Sequence, residues 1–202
     1  MEKKEVFIRN EQLGDPTPSM TFLFILIMMV FWSMFTGISS GPTELLLGCI
    51  QLALFPGYFV GSILYYMKGD TLNGTVFMIF GTVFGVLGGL TNIAVHFSNL
   101  YNWGVDPHIS TIPLLWTSLT LIPIMVAYRK SPALIFLVYG LASAFLLIFS
   151  CWSLGWLPTG LAVIFKWIVL TITVGGLYVF SDGILKSAGD KGLPLGSPFF
   201  KK

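Results

Sequence analysis

Six apolar runs, at about residues 19–38, 45–67, 72–96, 109–128, 132–153 and 158–181, constrain this chain more than any other feature. A helix crosses the hydrocarbon core of a bilayer with about 20 mostly apolar residues. Only helices and closed barrels satisfy every backbone polar group in lipid. Runs of this length therefore predict an all-α membrane protein with six transmembrane helices. The composition agrees: 10% of the 202 residues are charged, where a soluble domain carries roughly a quarter, and the mean hydropathy is +0.84. The breaks "SSGPT", "KGDT", "SNLYNWGVDPH", "RKSP" and "SLGWLP" are turn chemistry. They are too short to insert a soluble domain. The expected organisation is an N-terminal segment 1–18, a transmembrane domain 19–185 and a C-terminal tail 186–202.

Charge orients the bundle. Lys3, Lys4, Arg9, Lys68, Arg129, Lys130, Lys186, Lys191, Lys201 and Lys202 all fall on one side, leaving only Lys166 inside a run. The positive-inside rule predicts that both termini are cytoplasmic, in a multi-pass protein of the cell membrane. The polar start "MEKKEVFIRNEQLGD" lacks the short basic start and cleavage site of a secretory signal, so the run from Ser19 reads as a retained span. Six spans divide into two oppositely oriented sets of three, the arithmetic of a 3+3 inverted repeat. Its sequence support is the mid-helix proline in "LFPG" and in "LIPI". A net charge of +2 gives no nucleic-acid surface. Cys49 and Cys151 lie in apolar runs, where buried thiols are the plain reading and imply no disulfide framework or metal site.

Gly81, Gly85 and Gly89, spaced by four, put small residues on one helix face, the pattern of close helix packing. Gly57, Gly61, Gly175 and Gly176 add to it. Tyr65, Tyr66, Tyr101, Trp103, Tyr128 and Trp156 fall near run ends, where interfacial anchoring explains them. No HExxH, GxSxG or phosphate-binding glycine loop occurs, so neither an enzyme nor a cofactor is expected.

The informative residues are the polar ones at membrane depth. Lys166 lies about 12 Å along a helix from Pro158, at 1.5 Å per residue. It reads either as a snorkelling or Glu44-paired lysine, or as a lure for an anion in an outer vestibule. Thr75, Thr82, Thr91, Asn92, Ser143, Ser150, Thr171 and Thr173 bond their own helix or line a path for a small polar solute. At the first run, Pro16 and Pro18 mark a helix start that forfeits no helix hydrogen bond. Asp15 or Thr17 caps it. Its free amides and positive dipole end could meet an anion, with Asp15 competing for the place.

Three stretches carry a resemblance. "DPTPSM", Asp15–Met20, resembles the "NPAPLGL" signature opening the first span of the acetate uptake transporter family, the succinate–acetate permeases. "KGDTLNGTVFMIFG", Lys68–Gly81, is similar to that family's "KGNTFGLTAFTSYG", and "LPLG", Leu193–Gly196, to its "LPxG". The resemblance implies a six-helix protomer in a homo-hexamer, each with a path for acetate and related short carboxylates, in some members succinate, moved with protons or as in a channel. It also implies an apolar constriction on Phe24, Phe80 and Leu141, and a small residue bearing on solute size at Gly176. The chain departs from the pattern at Asp15 (Asn), Ser19 (Leu), Met20 (Gly) and Phe80 (Tyr), and Lys166 stands where a small residue belongs. On this reading Lys166 gathers the anion, the ring excludes ions, and Asp15 and Thr17 release the solute. Two alternatives stand beside it: a channel for urea or a short amide, and a membrane sensor or scaffold.

Overall fold

The computed structural model describes residues 14–39, 43–106 and 108–200. Lys3, Lys4, Arg9, Lys201 and Lys202, most of the N-terminal segment, and Ser40, Gly41 and Pro42 of the first break lie outside them. Among the described residues six helices are long and apolar enough to cross a membrane. They are α1 (Thr17–Thr36), α2 (Thr43–Met67), α3 (Thr71–Tyr101), α4 (His108–Tyr128), α5 (Ala133–Ser153) and α6 (Thr159–Ser187). No strand occurs among the described residues. Each apolar run has become one helix, and the chain is an all-α, multi-pass membrane protein.

Two helices outlast their apolar runs, because polar residues at their ends find partners. α3 continues to Tyr101, where left-handed Asn102 stops it, and Ser98 Oγ accepts the Val105 amide at 2.8 Å. α6 continues to Ser187 because Lys186 Nζ pairs with Asp182 one turn back, at 2.8 Å. The other Asp182 oxygen accepts the Leu193 amide at 2.8 Å. That bond folds the tail onto the bundle, where the Leu134 amide donates to Leu195 O at 3.0 Å. The Phe136 ring packs against Phe199 and Phe200, each at 6.1 Å.

Successive helices are antiparallel. Tyr65 near the end of α2 meets Thr17 at the start of α1. Tyr66 reaches Thr75 of α3, Tyr128 reaches Asn73, and Thr111 reaches Ser153. α6 returns beside α1, with Pro18 against Gly183 and Phe24 against Gly176. The start of α1 and the end of α6 therefore share one face, called here the terminal face, together with Lys68, Arg129, Lys130, Lys186 and Lys191.

Glycines set the closest approaches. A methyl added at Gly48 would sit 2.6 Å from the Gly89 carbonyl oxygen, and one at Gly89 would sit 3.0 Å from that of Gly48. Methyls at Gly81 and Gly85 would each sit 3.0 Å from the Cβ of an α2 aromatic, Tyr58 and Phe55 respectively. The glycine stripe of α3 is thus a packing surface against α2, the route by which membrane helices gain dispersion without hydrophobic collapse.

Candidate functional site

Remote from the terminal face, the first five helices separate around a cavity of about 540 Å3. Its walls are aromatic, with Phe31 and Phe35 from α1, Phe84 from α3, and Phe145, Phe149 and Trp152 from α5. Its polar lining is sparse. Asn92 Nδ2 donates to Gln51 Oε1 at 2.7 Å, tying α3 to α2. The Thr111 and Ser153 hydroxyls meet at 3.2 Å. Glu44 is the one charged residue among the lining residues. A desolvated anion is stabilised only by pairing or hydrogen bonds, so an acid without a neighbouring base makes this cavity a poor anion site. It suits a small neutral solute that accepts and donates hydrogen bonds.

The cavity ends on stacked rings. Phe84, one of its lining residues, stacks on Phe80 at 5.2 Å. The two stand four residues apart in the eight-residue π-helical stretch Phe80–Leu87 of α3, and π-helical departures from the α-helix are frequent at functional sites. Phe80 meets Phe24 edge-on at 5.7 Å, and Phe24 meets Tyr139 of α5 at 6.3 Å. Tyr58 of α2 stacks on the other side of Phe80 at 6.4 Å. Phe24 and Phe80 are 2% and 3% exposed, so the layer is shut. Gly176 backs it: a methyl there would stand 3.8 Å from the Phe24 ring and 3.1 Å from Ile25.

Toward the terminal face the axis is closed by tyrosines. Tyr65 Oη donates to Thr17 Oγ1 at 2.8 Å. Thr17 donates its hydroxyl and its amide to Asp15 Oδ1, at 2.7 and 3.1 Å. Tyr128 Oη donates to Asn73 Oδ1, and the Asn73 side-chain and backbone N–H groups donate to Asp70 at 2.6 and 3.0 Å. The Tyr128 and Tyr139 rings stack at 5.2 Å.

The structure brings Phe24, Phe80 and Gly176 together. Leu141 is half-buried against the core, and the α5 ring set against Phe24 is Tyr139 instead. Thr75 sits at an exposed edge, accepting from Tyr66 Oη at 3.3 Å. Pro16 and Pro18 stand at the start of α1, as the sequence predicts, and both are buried. The Asp15 carboxylate occupies the Thr17 amide that an anion would need. It lies 4.0 Å from Lys68 Nζ. Lys166 is not among the cavity-lining residues. Its amine stands 5.6 Å from the ring of Trp167, an exposed neighbour on α6. Among the polar residues read at depth, Thr82, Ser143, Ser150, Thr171 and Thr173 bond their own helix carbonyls. Thr91 and Asn92 line the cavity.

Sequence reasoning placed Tyr65 and Tyr128 at the membrane interface, and the structure corrects this: they are 3% and 4% exposed, inside the bundle. The signal was there in the spacing. Tyr58, Gly61 and Tyr65 recur at three and four residues, so they share one helix face, and Gly61 packs against Met20 of α1. Gln51, seven residues before Tyr58, continues that face into the cavity. Far from the terminal face, the exposed Asp106 carboxyl is held below the usual range by the His108 backbone amide and ring. No protein-family model matches this chain, and no curated protein matches it.

Proposed function

We propose that this protein is a membrane transporter or channel for acetate and related short carboxylates, passing them as the neutral acid along the axis of each protomer. The observation that carries the reading is the continuity of the axis. A cavity with polar groups and no cation among its lining residues leads directly onto the Phe84, Phe80 and Phe24 layer, with Gly176 as a small neighbour of Phe24 on α6. A carboxylic acid near the carboxylate reference value, roughly 4, is almost wholly ionised at pH 7. An apolar layer disfavours the anion and admits the minor neutral form. Each molecule that crosses then carries its own proton, so the flux is proton-linked without a relay of buried carboxylates. The terminal face is assigned as cytoplasmic by its five described cations. The resemblance supports a homo-hexamer, and six spans are compatible with a 3+3 repeat. The Lys166 lure has no part in this mechanism, because the lysine stands away from the cavity.

A channel for urea or a short amide is the second reading, and the Gln51–Asn92 pair with Glu44 favours it, since such solutes need no proton. Swelling of proteoliposomes in acetate, urea and formamide separates the two. Acetate entry above that of empty liposomes, faster at acid pH, supports the first. Entry of urea and formamide alone supports the second.

A further inference from the structure

Tyr58 carries a feature that the function proposed above leaves unused. Its ring lies 2% exposed at the centre of the bundle, stacked between Phe77 at 6.1 Å and Phe80 at 6.4 Å. Its hydroxyl is buried and is the one buried side-chain oxygen or nitrogen, among the described residues, that lacks a hydrogen-bond partner. The other α2 tyrosine on this face, Tyr65, finds Thr17. Buried hydroxyls are nearly always paired, and an orphan costs stability for nothing in return. Phenylalanine would fill the same volume without that cost. Phe24, Phe77 and Phe80 show that the surrounding layer takes phenylalanine readily. On the far side of Phe24 the ring of Tyr139, from α5, packs at 6.3 Å. Tyr58, Phe80, Phe24 and Tyr139 thus ring the axis, and the orphan hydroxyl belongs to the layer where a solute must shed its last water.

We infer that the Tyr58 hydroxyl is a solute-binding and selectivity group of the constriction, donating to the carbonyl oxygen of a small neutral acid or amide as it passes the phenylalanines. The Phe80 position has no hydroxyl to offer, so Tyr58 supplies from α2 a fully buried hydrogen-bond donor inside the apolar layer. A solute with a carbonyl gains that bond at its most dehydrated point. A solute of equal size without one does not. The inference rests on the axis being the solute path.

The test is Tyr58→Phe, read for stability and for flux. Thermal unfolding in detergent is expected to rise by about 2–4 °C, since an unpaired buried hydroxyl is removed without a cavity. Acetate and formamide entry into proteoliposomes is expected to fall about tenfold, the worth of one lost hydrogen bond at the barrier. A melting temperature that falls would show a structural partner for the hydroxyl and overturn the inference. So would unchanged flux, the outcome expected if only a resident water bonds Tyr58. Acetate and formamide are also added to wild type and variant during unfolding. If wild type shows no flux but either solute raises its melting temperature and not that of Tyr58→Phe, the transport reading fails while the binding group stands. If wild type conducts and the variant conducts equally, the hydroxyl fails while transport stands.

Discussion

At the end remote from the termini the bundle is hollow, with Gln51, Asn92 and Glu44 lining a cavity of about 540 Å3. At the terminal end the same axis is filled by Tyr65, Tyr128 and Tyr139. Two of their hydroxyls are spent on Thr17 and Asn73. Both ends are polar, but one lines an open cavity with its polar groups and the other commits the Tyr65 and Tyr128 hydroxyls to internal partners. In the apolar layer between them the Tyr58 hydroxyl is fully buried and unpaired. Both levels are closed in this conformation, and the difference lies in what holds each one shut. Opening the terminal end requires breaking named hydrogen bonds, whereas opening the central layer requires only that rings turn.

Four substitutions break or sharpen this contrast. Gly176→Leu has the largest expected effect. A single added carbon already meets Ile25 at 3.1 Å and Phe24 at 3.8 Å, so a full side chain fills the layer, and acetate flux is expected to fall to the empty-liposome level. Phe24→Ala comes next. Emptying this buried site is expected to cost about 3–5 kcal/mol of stability, seen by thermal unfolding. The residual flux should lose its pH dependence as the layer ceases to exclude the anion. Tyr128→Phe leaves Asn73 Oδ1 without its donor and should lower stability by about 1 kcal/mol. Because it loosens the closed end alone, flux is expected to hold or rise. Smallest of all is Lys166→Ala. With the amine beside Trp167 and away from the cavity, uptake at low acetate should stay within about twofold of wild type, well under the tenfold that 1.4 kcal/mol represents.

The fold was legible because hydrocarbon imposes a length rule that six runs obey. What escaped was local polar bookkeeping. Asp182 reads as an acid that ends a span, yet its pairing with Lys186 and with the Leu193 amide keeps α6 helical through it. In the candidate site, Phe24, Phe80 and Gly176 were reached through a resemblance, and they do meet. Leu141 packs on the same core, and the α5 ring against Phe24 is Tyr139, two residues earlier, a register that an all-round apolar α5 does not reveal. Tyr65 and Tyr128 were misplaced because a tyrosine near a span end has two stable settings: the lipid interface, or a buried partner such as Thr17 or Asn73. Only the partner's position distinguishes them, and span length alone does not give it.

The most direct measurement is the initial rate of labelled acetate uptake into proteoliposomes at pH 5, 6 and 7, set against empty liposomes, with formamide run in parallel. If the neutral acid crosses the Phe24–Phe80 layer, the protein-dependent acetate rate rises about tenfold for each unit of falling pH down to pH 5, following the neutral fraction of an acid with a pKa near 4. Formamide, which has no proton to gain, stays level. No acetate uptake above empty liposomes at any of the three values, or a rate that grows as pH rises, contradicts it.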